Sequence, residues 1–275
     1  MPSEALYRIV VPLVYAGRGN VIFVGLKLKN RLGIMEEITD ILTEARVNIL
    51  QGIHSISEDG THAYWIFTVD LSQANVDLED LMKEIKSVKG VIDIDYGIEW
   101  FNEIGVPPFR IEINFMGEKV IMWREKALSL FFKAIAEEFQ EAGRAFLYHI
   151  GKNAGRSLGE LWLDKVKKSN YRQLIEALLD LWRLTGWMNS YTIEELHPKP
   201  LRAVIVFHGL FTCTPFRGTK DRPYGDFIRG MLSGYVESVT KVKINSIERK
   251  CIAKGDPYCE FILEEVPGEK QIESN

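Results

Sequence analysis

Cys251 and Cys259 are the side chains of this sequence best suited to metal chemistry. Seven residues separate them, and a turn containing Gly255-Asp256-Pro257 lies between them. Two strands joined by that turn would bring both sulfurs to one point, and a pair of thiolates is a soft ligand set that suits Zn²⁺. Buried cysteines also pack as small apolar side chains, and a disulfide is a third use of the pair.

Recognisable catalytic motifs are absent from the sequence. The five histidines form neither a His-x-His nor a His-Glu-x-x-His pattern. There is no glycine-rich phosphate loop and no Gly-x-Ser-x-Gly segment around a nucleophilic serine. The residues therefore favour a protein that binds a ligand over one that catalyses a reaction.

Aromatic side chains in the second half of the chain could surround an apolar ligand. We expect a cavity between helices and sheet within residues 120–235, where an aromatic or hydrocarbon molecule would be held mainly by burial. The alternative is a filled core in which the rings pack on one another. The predicted lining residues are Phe132, Trp162, Trp187 and Phe207.

Length and composition predict a globular chain of two domains. It has 275 residues, 46% of them hydrophobic and 26% charged. A net charge of −4 disfavours direct nucleic-acid binding. No stretch approaches the ~20 apolar residues of a membrane span, so no membrane partner is expected. Three cysteines and the lack of a secretory signal predict a cytoplasmic protein.

The domain boundary is predicted at Gly105-Val106-Pro107-Pro108, because paired prolines end both helices and central strands. The residues before it are rich in acidic side chains, and those after it carry a small excess of basic ones. We expect a first domain over residues 1–105, a second over 106–265 and a flexible tail over 266–275.

The first half alternates between strand and helix periodicity. Alternating apolar residues over 22–28 predict a strand, and the spacing of apolar residues over 34–46 predicts a helix. Two further strands, a second helix near 78–85 and a last strand near 90–94 follow. The order β-α-β-β-α-β predicts a ferredoxin-like domain, with two helices on one face of an antiparallel sheet. Residues 6–15 are expected to add an edge strand.

The segment NRLGIMEEITDILTEARVNILQGIHS resembles the start of an ACT domain, and the resemblance covers residues 20–97. It implies an amino-acid-like effector bound near the first turn and helix start, where a glycine admits the ligand and helix N–H groups favour a carboxylate. Asn30 replaces an aspartate common in the family. Alternatively, Gly33 only permits the turn and Asn48 only caps a strand bend. The implied ligand-binding residues are Asn30, Arg31, Leu32, Gly33, Ile34, Asn48 and Ile49.

The third strand of this domain predicts a partner for the sheet. Residues 63–67 are apolar on both faces of the strand, whereas one layer of helices covers only one face. ACT domains usually pair, so we expect a homodimer. The N-terminal segment of the same chain is the other candidate cover.

The second half combines helices with strands. Residues 109–115 alternate as a strand, two long helices follow, and Gly151, Gly155 and Gly159 fall on one face of the second of them. Small residues on one face permit close approach of another helix or of a ligand. A third helix is predicted near 174–182 and a fourth over 227–239, with strands over 203–207 and 242–247.

The tail GDFIRGMLSGYVESVTKVKINSIERKCIAKGDPYCEFIL resembles the end of the 4-vinyl reductase domain, and the resemblance covers residues 108–265. It implies an α/β fold shared with TRAPP transport subunits, and a module that binds small molecules. In related phenol sensors a Glu-x2-Cys-x7-Cys segment and an earlier cysteine hold a structural zinc. The matching residues are Glu248, Cys251 and Cys259; the earlier cysteine would fall near Gly225. Adjacent Asp226 could replace it, and Cys213 and His208 are more distant candidates.

The sequence as a whole predicts an α+β protein that senses ligands and regulates other proteins without catalysing a reaction. An ACT domain would bind a small effector, and a 4-vinyl reductase domain would bind an apolar molecule, with zinc as the only cofactor. The alternative is a reductase or accessory enzyme acting on an aromatic or tetrapyrrole-type substrate.

Overall fold

The computed structural model of the chain describes residues 13–17, 19–165 and 170–268, which form two compact units that divide between Ile121 and Met122. This division falls after the predicted boundary, because Gly105 pairs with Tyr15 and Trp100 in a small sheet of the first unit. Most of the predicted edge strand over 6–15, and the tail from residue 269 onward, lie outside the described residues.

The first unit contains two helices and nine strands in its described part. In chain order they are β1 (Tyr15–Ala16), β2 (Val21–Lys29), α1 (Ile34–Glu44), β3 (Asn48–Ile56), β4 (His62–Asp70), α2 (Leu78–Ser87), β5 (Val91–Gly97), β6 (Glu99–Phe101), β7 (Ile104–Val106), β8 (Asn114–Phe115) and β9 (Glu118–Lys119).

The main sheet of this unit has the antiparallel strand order β3-β4-β2-β5, which confirms the predicted β-α-β-β-α-β arrangement. Alternate residues of β2, among them Val24 and Leu28, are buried in one core with the apolar stripes of α1 and α2. On the other face a Cβ at Gly25 would lie 3.0 Å from the ring of Phe109, so the chain itself covers part of that face. Tyr64 remains 41% exposed there.

The predicted strand over 109–115 is wrong for most of its length. Only Asn114 and Phe115 are in strand conformation, paired with Glu118 and Lys119 in a two-stranded hairpin. Residues 109–113 have no partner strand in the described part of the chain, so no ladder of hydrogen bonds seen there holds their alternating pattern.

In its described part, the second unit packs three helices with a four-stranded antiparallel sheet of order β10-β11-β13-β12. Its elements are α3 (Glu125–Lys165), α4 (Tyr171–Leu184), β10 (Ser190–Pro198), β11 (Leu201–His208), α5 (Asp226–Thr240), β12 (Ile244–Lys250) and β13 (Cys259–Glu265).

Helix α3 bends at Gln140, whose φ of 47° and ψ of −122° are not helical. The two helices predicted over this stretch are the two limbs on either side of the bend. An asparagine cap begins α4: the side chain of Asn170 accepts a hydrogen bond from Gln173 N–H at 3.0 Å, and the Gln173 side chain accepts one from Asn170 N–H.

The glycine face of α3 contacts another helix. A Cβ at Gly155 would collide with the carbonyl oxygen of Met231 on α5, and a Cβ at Gly234 would collide with the carbonyl oxygen of Lys152. The backbones therefore touch at this crossing, and the small residues serve helix packing. Within the described ranges, no helix has the length and apolar character needed to cross a bilayer.

Candidate functional site

Four buried side chains meet at one end of the second unit. One ligand atom each of Cys213, Glu248, Cys251 and Cys259 lies within 4.8 Å of all the others. The sulfurs of Cys213 and Cys251 are 3.6 Å apart, and the Cys213 sulfur is 4.0 Å from a carboxylate oxygen of Glu248. We call these four side chains the thiol-carboxylate cluster.

Three separate pieces of chain supply this cluster. Cys213 precedes a short 3-10 turn after β11, Glu248 lies on β12, and Cys259 begins β13. Cys251 follows β12 directly, where its backbone N–H donates to the Asp256 carboxylate at 2.8 Å. Gly255 adopts a φ of 107°, a conformation that a side chain would strain, and so lets the chain return to β13.

Backbone N–H groups point at the ligand atoms of the cluster. Gly225 N–H donates to Glu248 Oε2 at 2.7 Å, and Tyr224 N–H donates to the Cys251 sulfur at 3.4 Å. Ile252 N–H donates to the sulfur of Cys259 at 3.3 Å. Donors of this kind stabilise thiolate and carboxylate charge, as the outer shells of metal sites do.

Hydrogen bonds between the thiols and burial of the carboxyl group together shift the pKa values of the cluster. Hydrogen bonding between the two thiols raises the pKa of Cys213 and lowers the pKa of Cys251. Burial, and then the charge of Cys251, raises the pKa of the Glu248 carboxyl. Several acidic side chains are thus buried together, and burial makes it costly for more than one of them to be negatively charged. A bound cation would lower that cost and let more of them ionise.

The other predicted ligands lie elsewhere. Both carboxylate oxygens of Asp226 form ion pairs, one with Arg144 at 2.8 Å and one with Arg229 at 3.0 Å. His208 is exposed, and its ring lies beside Tyr258. The structure therefore brings Glu248, Cys251 and Cys259 together with Cys213. In the sequence, Cys213 was a more distant candidate than Asp226.

A side chain at Gly225, near which the earlier cysteine was expected, would crowd Glu248. A Cβ there would lie 2.8 Å from Glu248 Oε2 and 2.9 Å from the ring of Phe261. Glu248 and Phe261 would have to shift to admit a side chain at residue 225, and the third sulfur of the cluster comes from the loop after β11.

Three of the four predicted cavity residues belong to one aromatic cluster. Trp187 stacks on Trp182 with ring centroids 5.0 Å apart, and Phe132 stacks on Phe227 at 4.5 Å. Phe207 is fully buried beside Trp182. Trp162 packs against the same core and is partly buried.

Two tryptophan side chains of this core keep an unsatisfied donor. Trp182 is 1% exposed, and none of the described residues accepts a hydrogen bond from its Nε1–H. The Nε1–H of Trp162 is likewise buried without an acceptor in the described part of the chain. Buried donors almost always have a hydrogen-bond acceptor. A ligand oxygen that accepts a hydrogen bond from either Nε1–H would therefore be favoured here.

The turn between β2 and α1 is held by its own polar side chains. The Asn30 amide donates to the carbonyl oxygen of Gly60 at 2.8 Å. The Arg31 guanidinium donates to the carbonyl oxygen of Lys89 at 2.9 and 2.6 Å and forms a two-bond ion pair with Glu37 at 2.8 and 2.7 Å. Arg31 therefore positions the turn.

The tip of this turn is open. Leu32 is 98% exposed, whereas the side chain of Ile34 is buried under α1. Gly33 has a φ of 80°, and a Cβ built on it would meet no atom within 4 Å. A ligand carboxylate could therefore approach the first N–H groups of α1.

Asn48 and Ile49 lie far from that turn within one chain. Asn48 and Val21 both pair with Asp70 at one end of the sheet, whereas Lys29, next to the turn, pairs with His62 at the other end. The eight steps along the nine residues from Val21 to Lys29 correspond to about 27 Å of strand. The predicted residues thus form two separate groups in a single chain.

Family models match both units. Residues 23–95 match the ACT domain, and residues 210–265, which include the whole thiol-carboxylate cluster, match the 4-vinyl reductase domain. The chain carries an ACT domain and a 4-vinyl reductase domain. Both resemblances seen in the sequence are therefore confirmed, and so is the α+β fold class.

Two curated proteins are similar to parts of the chain. An uncharacterized protein of Methanocaldococcus jannaschii is 27% identical over 123 residues, which are 43% of this chain and 63% of that protein. An ACT domain-containing protein of Heliobacterium modesticaldum is 33% identical over 82 residues, 30% of this chain and 54% of that protein. The chain thus spans less than two thirds of either relative.

Solved structures are similar to it at low identity. The phenol-responsive sensory domain of the transcription activator PoxR with phenol has a TM-score of 0.49 and 17% identity, covering 54% of this chain and 78% of that chain. A vinyl-4-reductase family protein of Methanocaldococcus jannaschii has a TM-score of 0.39 and 23% identity, covering 54% of this chain and 84% of that chain.

Proposed function

We propose that this chain is a regulatory protein that senses small molecules through both of its domains. The observation that carries the proposal is the union of an ACT domain with a 4-vinyl reductase domain in which buried tryptophan donors lack a partner among the described residues. The 4-vinyl reductase domain would bind an apolar molecule, and the ACT domain an amino-acid-like effector.

Zinc is the metal that suits the thiol-carboxylate cluster best. Cys213, Glu248, Cys251 and Cys259 would hold it, because three sulfurs and one carboxylate oxygen are a ligand set that zinc accepts in closed structural sites. Such an ion would cross-link the loop after β11 with the β12–β13 turn. The role of the metal would be structural, since all four positions would be filled by protein.

The apolar ligand of the 4-vinyl reductase domain would be an aromatic compound that carries a hydrogen-bond acceptor. The rings of Trp187, Phe207 and Phe132 would supply apolar area, and the unpaired Nε1–H of Trp182 would donate to a hydroxyl or carbonyl oxygen of the ligand. Small rearrangements of these rings would be needed to admit it, because they are packed together.

Two aromatic probes test this assignment. Phenol and toluene have similar shapes, but only phenol offers an oxygen. We expect both to raise the melting temperature of the full chain, with phenol raising it more. Trp182→Phe keeps a ring and removes the donor, so it should reduce the phenol effect to that of toluene. Trp187→Phe is the matched control and should preserve the difference. A chain that responds to neither compound would contradict this part of the proposal.

The effector site of the ACT domain would be shared between two chains. The open turn at Gly33 and the start of β3 at Asn48 lie at opposite ends of one sheet, so a site that includes both requires a second copy. We therefore propose a homodimer joined through the ACT domains. Titration calorimetry with the twenty amino acids tests the effector site. We expect saturable binding of one or a few of them.

An enzyme assay separates this proposal from its alternative. A reductase would oxidise reduced nicotinamide in the presence of a vinyl tetrapyrrole. No turnover above the uncatalysed rate is expected from the purified chain. Turnover that depends on this chain would overturn the sensor proposal in favour of catalysis.

A further inference from the structure

The first limb of α3, residues 125–139, lies over one side of the aromatic cluster of the second unit. Phe132 of this limb is buried, with its ring stacked on Phe227 at 4.5 Å and 6.2 Å from the ring of Phe211. Both partner rings lie beside Trp187, at 6.2 and 5.3 Å. We call residues 125–139 the cover limb, because its removal would open the cluster on this side.

Polar contacts fasten the cover limb to the loop after β11. The Ser129 hydroxyl lies 3.0 Å from the carbonyl oxygen of Phe211, and Lys220 donates to the Glu137 carboxylate at 2.7 Å. The Glu137 side chain is half exposed, so water competes with its ion pair. Within the cover limb, the buried residues are Ser129 and Phe132. Such a segment can leave its place without unfolding the rest of the unit.

The bend at the end of the cover limb is strained. Gln140 has a φ of 47° and a ψ of −122°, a combination that suits glycine and is costly for other residues. The sequence from 136 to 142 is AEEFQEA, which contains neither glycine nor proline and is rich in strong helix formers. The local sequence therefore favours a continuous helix at a point where the structure is bent.

Gly143 is the residue that permits the bend. A Cβ built on Gly143 would lie 2.2 Å from the carbonyl oxygen of Ile135, across the bend in the cover limb. In a continuous helix these two residues are about 12 Å apart along the axis, and a side chain at 143 would not meet that oxygen. The close contact thus belongs to the bent conformation alone.

We propose that the cover limb is a hinged gate over the aromatic cluster. It closes the cluster when α3 is bent and uncovers it when Gln140 becomes helical and the limb swings away. Backbone strain at Gln140 favours the open conformation, whereas burial of Phe132 and the contacts of Ser129 and Glu137 favour the closed one. The inference rests on the proposed function, since the gate would admit the apolar ligand.

Two substitutions at the bend should shift this equilibrium in opposite directions. Gly143→Ala adds a methyl group that collides with the Ile135 carbonyl oxygen in the closed conformation, so it should favour the open one. Gln140→Gly removes the strain from the closed conformation and weakens the continuous helix, so it should favour closure. General damage to the fold would not give opposite effects.

A cysteine under the cover limb reports its opening without any ligand. Ser129→Cys places a thiol at a position that is 1% exposed, and Ser246→Cys, at an equally buried position on β12, is the matched control. The full chain would be labelled with N-ethylmaleimide and followed by mass spectrometry. The wild type gives the background, because its own three cysteines are 0% exposed.

The gate predicts a different response at the two cysteines. Gly143→Ala should speed labelling of Ser129→Cys about tenfold, and Gln140→Gly should slow it. Labelling of Ser246→Cys should change little in either background. Equal labelling of Ser129→Cys in all backgrounds would overturn the proposal. Equal changes at both cysteines would also overturn it, because unfolding of the whole unit would then explain them.

Phenol association, followed by tryptophan fluorescence, is the second readout. It should be faster in Gly143→Ala and slower in Gln140→Gly than in the wild type. Equal rates in the three proteins would show that phenol enters by another route and would overturn the gate. A chain whose cover limb opens as expected, but which phenol does not stabilise, would contradict the ligand assignment of the proposed function and leave the hinged limb supported.

Discussion

Gly33 and Gly60 allow the effector turn to be tested with a matched pair of substitutions. Both have positive φ, 80° and 69°, and a Cβ at either would meet no atom within 4 Å. Alanine in this conformation costs about 1–2 kcal/mol. We expect Gly33→Ala and Gly60→Ala to lower the free energy of unfolding by similar amounts, as measured by urea denaturation.

The two substitutions should differ in ligand binding. Gly33 borders the first N–H groups of α1, whereas Gly60 lies in the hairpin turn between β3 and β4. Amino-acid binding measured by calorimetry should weaken at least tenfold in Gly33→Ala and remain in Gly60→Ala. Equal binding by both variants would show that the turn at Gly33 is not the effector site.

Asp59 gives a pH-dependent signature of the same hairpin. Hydrogen bonds from Ser57, and then from the backbone and side chain of Thr61, lower the pKa of Asp59 to about 2 from an ordinary value of 3.8. Because the folded-state pKa is depressed, the stability that this carboxylate contributes is present above pH 3.8 and is lost as the pH falls toward 2.

An NMR titration of the Asp59 carboxyl group measures this pKa directly. Ser57→Ala removes the largest cause, so the pKa should rise toward 3.8. An Asp59 pKa that is the same in both proteins would contradict the role assigned to Ser57.

The members of the thiol-carboxylate cluster were only partly predictable from the residues. The Glu248, Cys251 and Cys259 spacing is local, and the resemblance to a known domain identified all three. Cys213 is separated from Glu248 by 35 residues and a helix, so only the folded chain shows that they meet. Asp226 was the nearer candidate along the chain, but ion pairs with two arginines occupy its carboxylate.

At the scale of elements, the contact between α3 and α5 depends on glycine. A Cβ at Gly155 would collide with the carbonyl oxygen of Met231, so Gly155→Ala must force the two helices apart. Overpacking of this kind costs about 3 kcal/mol, which exceeds the ~1 kcal/mol that alanine gains over glycine in a helix. We expect the free energy of unfolding to fall by about 2 kcal/mol.

Asn153→Ala is the control for this prediction. Asn153 lies on the same helix and is exposed, so its replacement should change the free energy of unfolding by no more than ~0.5 kcal/mol. Both values would come from the same urea denaturation series. A Gly155→Ala variant as stable as the wild type would show that the helices are not in backbone contact.

Periodicity predicted the elements of the ACT domain well, because its helices and strands each have one buried face. The predicted helix over 34–46 corresponds to α1, and the order of strands is confirmed. Residues 109–113 show the limit of this method, because an alternating pattern does not by itself supply a partner strand. The bend at Gln140 has no proline to signal it; Gly143 lies three residues beyond, where a Cβ would collide with the carbonyl oxygen of Ile135.

At the scale of the whole molecule, the chain joins two domains of different families, an ACT domain and a 4-vinyl reductase domain. The domain families were predictable from short segments, since the glycine turn and the cysteine pair are distinctive. The position of the boundary between the two units was not predictable from the sequence, because the residues beyond the paired prolines pack with the ACT domain. That packing depends on contacts such as Phe109 with Gly25, which no local pattern shows.

The zinc content of the purified full chain and two variants tests the central claim most directly. If Cys213 completes the cluster, the wild type should carry about one zinc per chain by elemental analysis, and Cys213→Ser should lose it and melt at a lower temperature. Asp226→Asn should keep the metal, because that carboxylate lies outside the cluster. A wild type without zinc, or a chain that keeps zinc in Cys213→Ser and loses it in Asp226→Asn, would contradict the account.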